Sequence, residues 1–220
     1  MGQVVGTNDV PGKVDFERLR SALNGMCGPA LAVSDCREMD PDWHARFSAR
    51  SRTYVYAILE SDTPDPFLAP TTLRSATRLD VDAMNEAAGS LVGNHDFSSF
   101  GRVSDEQKSA ERTLFELRAR RTANVICIRA RADSFIQQMV RSLVGTLLEV
   151  GEGRRSPDEM NEILNARERH RAGAVAPPHG LCLVSVEYDE GWSIPVDPFH
   201  EGRYPAGSSA IPSTDGQEKQ

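Results

Sequence analysis

The strongest pattern in the chain lies between Ser134 and Val150. Phe135, Ile136, Met139, Val140, Leu143, Val144, Leu147 and Leu148 recur at i, i+3, i+4 and predict an amphipathic helix that Gly151 closes. A second helix is predicted to follow at once, with Ser156 as its cap, Pro157 in the first helical position and Glu159 completing a capping box. Phe16, Leu19, Leu23 and Met26 share the same spacing and predict a helix over 14–26, capped by Asp15. A further helix is predicted over 79–92, capped by Asp80 or Asp82, with Met84, Ala87, Ala88 and Leu91 on one face and Gly93 just past its end.

Period-2 patterns mark the strands. Tyr54 to Leu59 form a β-rich run within 51–60, and Pro64, Pro66 and Pro70 break the chain after it. Residues 112–121 and 124–132 read as a hairpin. In its first arm Leu114, Glu116, Arg118 and Arg120 alternate with Phe115, Leu117 and Ala119. In its second, Ile126, Ile128 and Ala130 alternate with Cys127, Arg129 and Arg131. One face of this hairpin gathers arginines. Residues 29–33 are predicted to be a strand or extended edge, 102–111 an exposed loop and 181–188 a last strand. Residues 202–220, rich in Pro, Gly and Ser, read as disordered. Helices and strands alternate irregularly, which favours an α+β fold over a doubly wound parallel sheet.

Composition narrows the function. No apolar run approaches the ~18 residues of a membrane span, and residues 1–14 lack a charged-then-apolar leader, so a cytoplasmic protein is expected. Cys27, Cys36, Cys127 and Cys182 form no C-x-x-C pair, and the five histidines are dispersed, so a metal site is not expected. The net charge of −7 speaks against a polyanionic partner, but residues 101–171 carry 14 basic and 11 acidic side chains, a local positive excess.

Six stretches, in order, say more: Gly2-Gln3-Val4-Val5; His44-Ala45-Arg46-Phe47-Ser48-Ala49 with Tyr54 beyond it; Gly93-Asn94-His95-Asp96-Phe97-Ser98-Ser99-Phe100; Arg112-Thr113; Phe135 with Met139 to Leu147; and Ala176-Pro177-Pro178-His179-Gly180-Leu181. Their order and spacing over residues 2–188 resemble the tRNA pseudouridine synthase A family. The resemblance implies a pseudouridine synthase fold of two α/β lobes with antiparallel and mixed sheets. The lobes here would be residues 1–45, the remainder of an incomplete first lobe, and residues 46–190, a catalytic and RNA-binding lobe, followed by a tail over 191–220. It also implies a homodimer that binds tRNA, isomerises uridine to pseudouridine in the anticodon stem-loop, and needs no cofactor or metal.

Residue by residue, Arg141 matches the arginine that the family sets against its catalytic aspartate. A guanidinium there would hold a nearby carboxylate ionised as a nucleophile, and Gly145, one turn on, leaves room for another element to approach. Tyr54 matches the family's substrate-contacting tyrosine, an aromatic surface for a flipped base. Tyr54 and Tyr56 share one side of a strand, so spacing alone does not separate them. Arg46 and Phe47 are expected to shape a cleft wall. The turn from His95 to Phe100 reads as structural, packed by Phe97 and Phe100, with RNA contact as the alternative. Arg112, Arg118, Arg120, Arg121, Arg129 and Arg131 are candidates for phosphate contacts, which position RNA without reading its bases.

The sequence departs from the family in one decisive respect. The family's nucleophile lies in Gly-Arg-Thr-Asp-x-Gly-Val-His-Ala, next to Gly-Gln-Val-Val; here Met1 alone precedes Gly2, and no Arg-Thr-Asp occurs. The expectation is an internal methionine taken as a start, or a gene that lost its beginning, and a chain inactive as it stands. A tRNA-binding pseudoenzyme and a non-functional fragment are the alternatives. Gln137 and Gln138 stand where the family often has a basic residue, and Cys182 where an aromatic is usual.

Overall fold

The computed structural model describes residues 5–9, 12–103 and 109–189. The chain divides into two compact units, one over Val4–Ala49 and one from Arg50 onward. The tail predicted over 191–220 lies outside the described residues.

In the smaller unit, α1 (Phe16–Cys27) starts where the Asp15 side chain accepts the Arg18 amide at 3.1 Å. The strand anticipated at 29–33 does not form. The Asn24 side chain instead brackets Val33, donating to its carbonyl at 3.0 Å and accepting its amide at 2.6 Å. One side chain supplies the pairing that a neighbouring strand would have supplied.

The larger unit is a mixed six-stranded sheet with helices on one face. Its strands are β1 (Ser51–Glu60), β2 (Leu73–Ser75), β3 (Gly93–Asp96), β4 (Glu111–Thr122), β5 (Val125–Ala132) and β6 (Leu181–Glu187). The order is β2-β1-β5-β4-β3. β1 is the hub: β5 lies antiparallel along one edge, while the other is divided between antiparallel β6 over Ser51–Tyr56 and parallel β2 over Ile58–Glu60. The fold is α+β, as the irregular alternation predicted.

Helices α2 (Val81–Gly89), α3 (Met139–Gly151) and α4 (Glu159–Ala166) bury Met84, Leu143, Leu147 and Met160 against Tyr56, Ile58, Ile126, Ile128, Leu114 and Leu117. Asp80 caps α2, accepting the amides of Asp82 and Ala83. Gly93 does not cap that helix; its φ of +126° makes the turn into β3. α4 begins two residues later than predicted. Half of the expected capping box survives, as the Glu159 carboxylate accepts the Ser156 amide at 2.9 Å, but the turn before Glu159 closes through i→i+3 bonds.

Two elements deviate because tertiary contacts outweigh the local pattern. The stripe that begins at Phe135 predicts helix from 134, yet α3 starts at Met139. Gln137 instead exchanges two 3.0 Å backbone bonds with Arg102, and Gln138 takes φ +64° to enter the helix. On β4 the ladder slips between Leu114 and Glu116: Leu114 faces Ala132 and Glu116 faces Arg131, so Phe115 is an extra residue. The bulge lets Leu114 and Leu117 both point to the core, which strict alternation forbids.

Candidate active site

Tyr56 on β1 and Arg141 in the N-terminal turn of α3 meet at residues 176–177, and Tyr54 lies two residues from Tyr56 on the same strand. Tyr54 and Tyr56 project from the same side of β1, about 7 Å apart along the strand, opposite Ala130 and Ile128 of β5. Their environments differ sharply. Tyr56 is 0% exposed and donates its hydroxyl to the Pro177 carbonyl at 2.8 Å. Burial pushes its phenol up to about 12, partly opposed by the positive charge of Arg141. Tyr54 is half-buried and packs edge-on against Phe135, with ring centroids 5.3 Å apart at 86°. Burial raises its phenol too, with Arg52 opposing. Tyr56 is thus a core tyrosine with its hydroxyl engaged, and Tyr54 keeps part of its surface open to a ligand.

Arg141 is the third residue of α3, on the side where residues 173–178 run. Its Nε–H donates to the Ala176 carbonyl at 2.6 Å, and the Ala176 amide donates back to the Arg141 carbonyl at 3.0 Å. One turn on, a Cβ on Gly145 would lie 1.7 Å from the Ala174 carbonyl oxygen, so only glycine lets the strap come this close. Thr146 completes the docking, accepting the Gly173 amide at 3.0 Å. At the strap's far end a Cβ on Gly180 would lie 2.7 Å from the Tyr56 ring. The Ala-Pro-Pro-His-Gly stretch is therefore a fitted strap that orients Arg141. Among the described residues no carboxylate pairs with Arg141, and its terminal Nη groups make no hydrogen bond there.

Phe135 and Thr146 stood in a quoted motif, but their roles were not foreseen. Phe135 was assigned to a helical stripe, and only the pinned turn at Gln137 carries it to Tyr54. Thr146 stands between apolar neighbours and gives no signal of its own.

The arginine candidates separate by geometry. Arg112 is 8% exposed, its Nη1 bonded to the carbonyls of Ser109 and Glu111, so it braces the start of β4 rather than offering charge to solvent. Arg121 grips both carboxylate oxygens of Glu60, at 2.8 and 2.9 Å, on the helix side. Arg129 pairs with Glu116 at 3.2 Å and, with Arg118, Arg120 and Arg131, lies on the opposite side of the sheet from the core. Arg46, in the smaller unit, sets its guanidinium 5.6 Å from the ring of Phe47, which is 73% exposed. In the turn from His95 to Phe100, Phe97 and Phe100 are fully buried, and the Ser99 hydroxyl ties the turn to α4 through the Ile163 carbonyl at 2.6 Å. Among the described residues no group of three or more His, Cys, Asp or Glu could hold a metal ion, and no helix is long and apolar enough to cross a membrane.

Known proteins are similar to this chain in sequence. A family model described as tRNA pseudouridine synthase matches residues 87–189, which include the hairpin, α3, Arg141 and the strap. The tRNA pseudouridine synthase A of Bacillus pumilus is 39% identical over 188 residues, covering 86% of this chain and 76% of that protein. Its namesake from Acetivibrio thermocellus is 36% identical over 191 residues, covering 86% and 77%. The Rhodopseudomonas palustris protein of the same name is 42% identical over 182 residues, covering 82% and 74%. Identity at this level over so much of both chains, with the strap and its arginine inside the matched region, decides the matter: the chain belongs to the tRNA pseudouridine synthase A family.

Proposed function

We propose that this chain serves the isomerisation of uridine to pseudouridine in the anticodon stem-loop of tRNA, as one subunit of a cytoplasmic homodimer. The reaction breaks the glycosidic C–N bond and rejoins the same base to the sugar through carbon. The base must leave its stack, and the half-open ring of Tyr54, braced by Phe135, offers a surface to receive it. Arg141 is the ion-pair partner of a nucleophilic aspartate: a guanidinium favours the ionised form of a carboxylate beside it. Arg46 and Arg129 supply phosphate contacts; Arg112 is too buried to join them.

The observation that carries this reading is the state of Arg141. Its Nε and its backbone are fixed by the strap, while its Nη groups have no partner among the described residues. That is the posture of a cation held ready for an anion. No Arg-Thr-Asp occurs in the 220 residues, and covalent catalysis by a carboxylate needs the carboxylate. On this reading the residues present supply tRNA binding and the cation of the site, and the aspartate is the part they do not contain.

The test is to incubate the purified chain with a transcribed tRNA, digest the RNA and look for pseudouridine by chromatography and mass spectrometry, with binding followed by fluorescence anisotropy. Binding without pseudouridine is expected. Multiple turnovers would overturn the assignment of the nucleophile to an Arg-Thr-Asp motif; no binding at any salt concentration would overturn the tRNA reading itself.

A further inference from the structure

We propose that Asp133 is a positioning residue of the site around Tyr54: it fixes Phe135 against Tyr54 and so sets the space that receives the uracil. The inference rests on the tRNA reading above and adds to it a residue which that reading does not use.

β5 ends at Ala132, which pairs with Leu114 of β4 and Arg52 of β1. One residue on, the pairing continues by other means. The Asp133 amide donates to the Thr113 carbonyl at 3.1 Å, as in a ladder. The Thr113 amide, however, donates to Asp133 Oδ2 at 3.1 Å, where a continuing strand would have offered its backbone carbonyl. The side chain stands in for the main chain. That leaves the Asp133 carbonyl to the Arg52 guanidinium, whose Nη1 donates to it at 2.6 Å. The other carboxylate oxygen, Oδ1, accepts from the Ser134 amide and hydroxyl, and the chain turns out of the sheet there. One residue thus ties together β4, β1 and the first step of the turn.

Phe135 sits in the middle of that turn. Two residues beyond it the segment is pinned again, where Gln137 exchanges its two 3.0 Å bonds with Arg102. Gly101 permits the second pin, because a Cβ there would lie 2.8 Å from the Gln137 carbonyl oxygen. Between the two pins the Phe135 ring meets Tyr54 edge-on, with centroids 5.3 Å apart. Arg52 lies two residues before Tyr54 and leaves β1 on the same side. Asp133 therefore holds both members of the ring pair, Phe135 through the turn and the strand of Tyr54 through Arg52. Both rings are only half-buried, so packing does not enclose them, and the hydrogen bonds locate the turn. A binding surface works when its groups are held within about 0.5 Å of the productive geometry, and this is the constraint that Asp133 supplies.

The experiment uses the 220-residue chain, with fluorescein-labelled tRNA followed by anisotropy. Ring-13C tyrosine is followed by NMR, the Tyr54 resonances being assigned from Tyr54→Phe. The variants are Asp133→Ala, Asp133→Asn, Phe135→Ala and each Asp133 change combined with Phe135→Ala. Phe135→Ala is expected to weaken tRNA binding about tenfold, on the scale of one stacked base. Asp133→Ala weakens it by about three- to tenfold and, without RNA present, moves the Tyr54 resonances toward their positions in Phe135→Ala. Asp133→Asn keeps one acceptor oxygen of the two and falls between wild type and Asp133→Ala in both readouts. Because Asp133 acts through Phe135, each double variant binds no more weakly than Phe135→Ala alone. Glu60→Gln, which loosens the same sheet at the other end of β1, is the control and keeps wild-type affinity. Additive losses in the double variants, or Tyr54 resonances that Asp133→Ala leaves in place, would overturn the positioning role while leaving the tRNA reading intact. Equal weakening by Glu60→Gln would overturn it too, by assigning the losses to a loosened sheet. A wild-type chain that binds no tRNA would remove both.

Discussion

Tyr56 and Arg141 hold consecutive carbonyls of one strap: the phenol donates to Pro177 at 2.8 Å and the guanidinium Nε–H to Ala176 at 2.6 Å. A core strand and the first turn of a helix are thereby joined through two peptide groups, and the strap that holds Arg141 is also held by a fully buried residue. Replacing Tyr56 with Phe removes one hydroxyl and takes this donor from the Pro177 carbonyl, at a cost of about 1 kcal/mol. The Ala176 amide, which donates to the Arg141 carbonyl at 3.0 Å, is expected to exchange its hydrogen faster in this variant. Unaltered protection at Ala176 would show that Arg141 holds the strap without help from Tyr56.

Gly145→Ala tests the other side of the same contact. The new Cβ would fall 1.7 Å from the Ala174 carbonyl oxygen, and the obstructing atom is backbone, not a side chain that can swing aside. The strap must lift or α3 must shift, at about 3 kcal/mol or more. Denaturant unfolding measures this. A loss below about 0.5 kcal/mol, the scale of an ordinary surface change, would mean that the strap is not seated on the helix.

Glu60 gives a pH dependence. Burial raises its carboxyl, but hydrogen bonds from the Arg121 guanidinium and the Leu79 amide outweigh this, aided by the charges of Arg121 and Arg78, and the net pKa lies below the usual carboxylate value. A depressed folded pKa contributes stability that is fully present above the unfolded value, near 4.3, and is lost as pH falls below it. Glu60→Gln is therefore expected to be less stable than wild type by about 2 kcal/mol at pH 7, with the gap narrowing between roughly pH 5 and 3. Parallel unfolding curves across that range check it. A gap constant with pH would assign the loss to packing rather than charge.

The bulge makes a prediction that separates two deletions in one strand. Leu114 faces Ala132 and Glu116 faces Arg131, with Phe115 left over. Deleting Phe115 restores a regular ladder while Leu114 still points inward, so cooperative unfolding survives with stability changed by about 1 kcal/mol or less. Deleting Arg118 instead turns the neighbouring positions to the wrong face, as a one-residue slip does, and cooperative unfolding is lost. Equal damage from both deletions would contradict the register.

Much of this protein was legible one residue at a time. The 51–60 strand, the hairpin, the Asp15 and Asp80 caps and the α+β class all rest on interactions within a few residues, and periodicity and cap chemistry report such interactions directly. The motif order identified the family, and the absence of Arg-Thr-Asp is a plain property of the chain. Tertiary structure decided whatever depended on partners distant in sequence. Tyr54 and Tyr56 have the same spacing signal, and only the strap, more than 120 residues on, makes one a core residue with its hydroxyl engaged. Phe135 has helical periodicity, yet exchange of backbone bonds with Arg102 unwinds its segment and delivers it to Tyr54. The arginines formed one list of candidates, until a single extra residue in β4 and the partners of Arg112 and Arg121 sorted them into braces and an outer face. The physical reason is common to all three: a chain's local preferences differ by about 1 kcal/mol or less, and burial or a satisfied backbone bond outweighs them wherever distant segments meet.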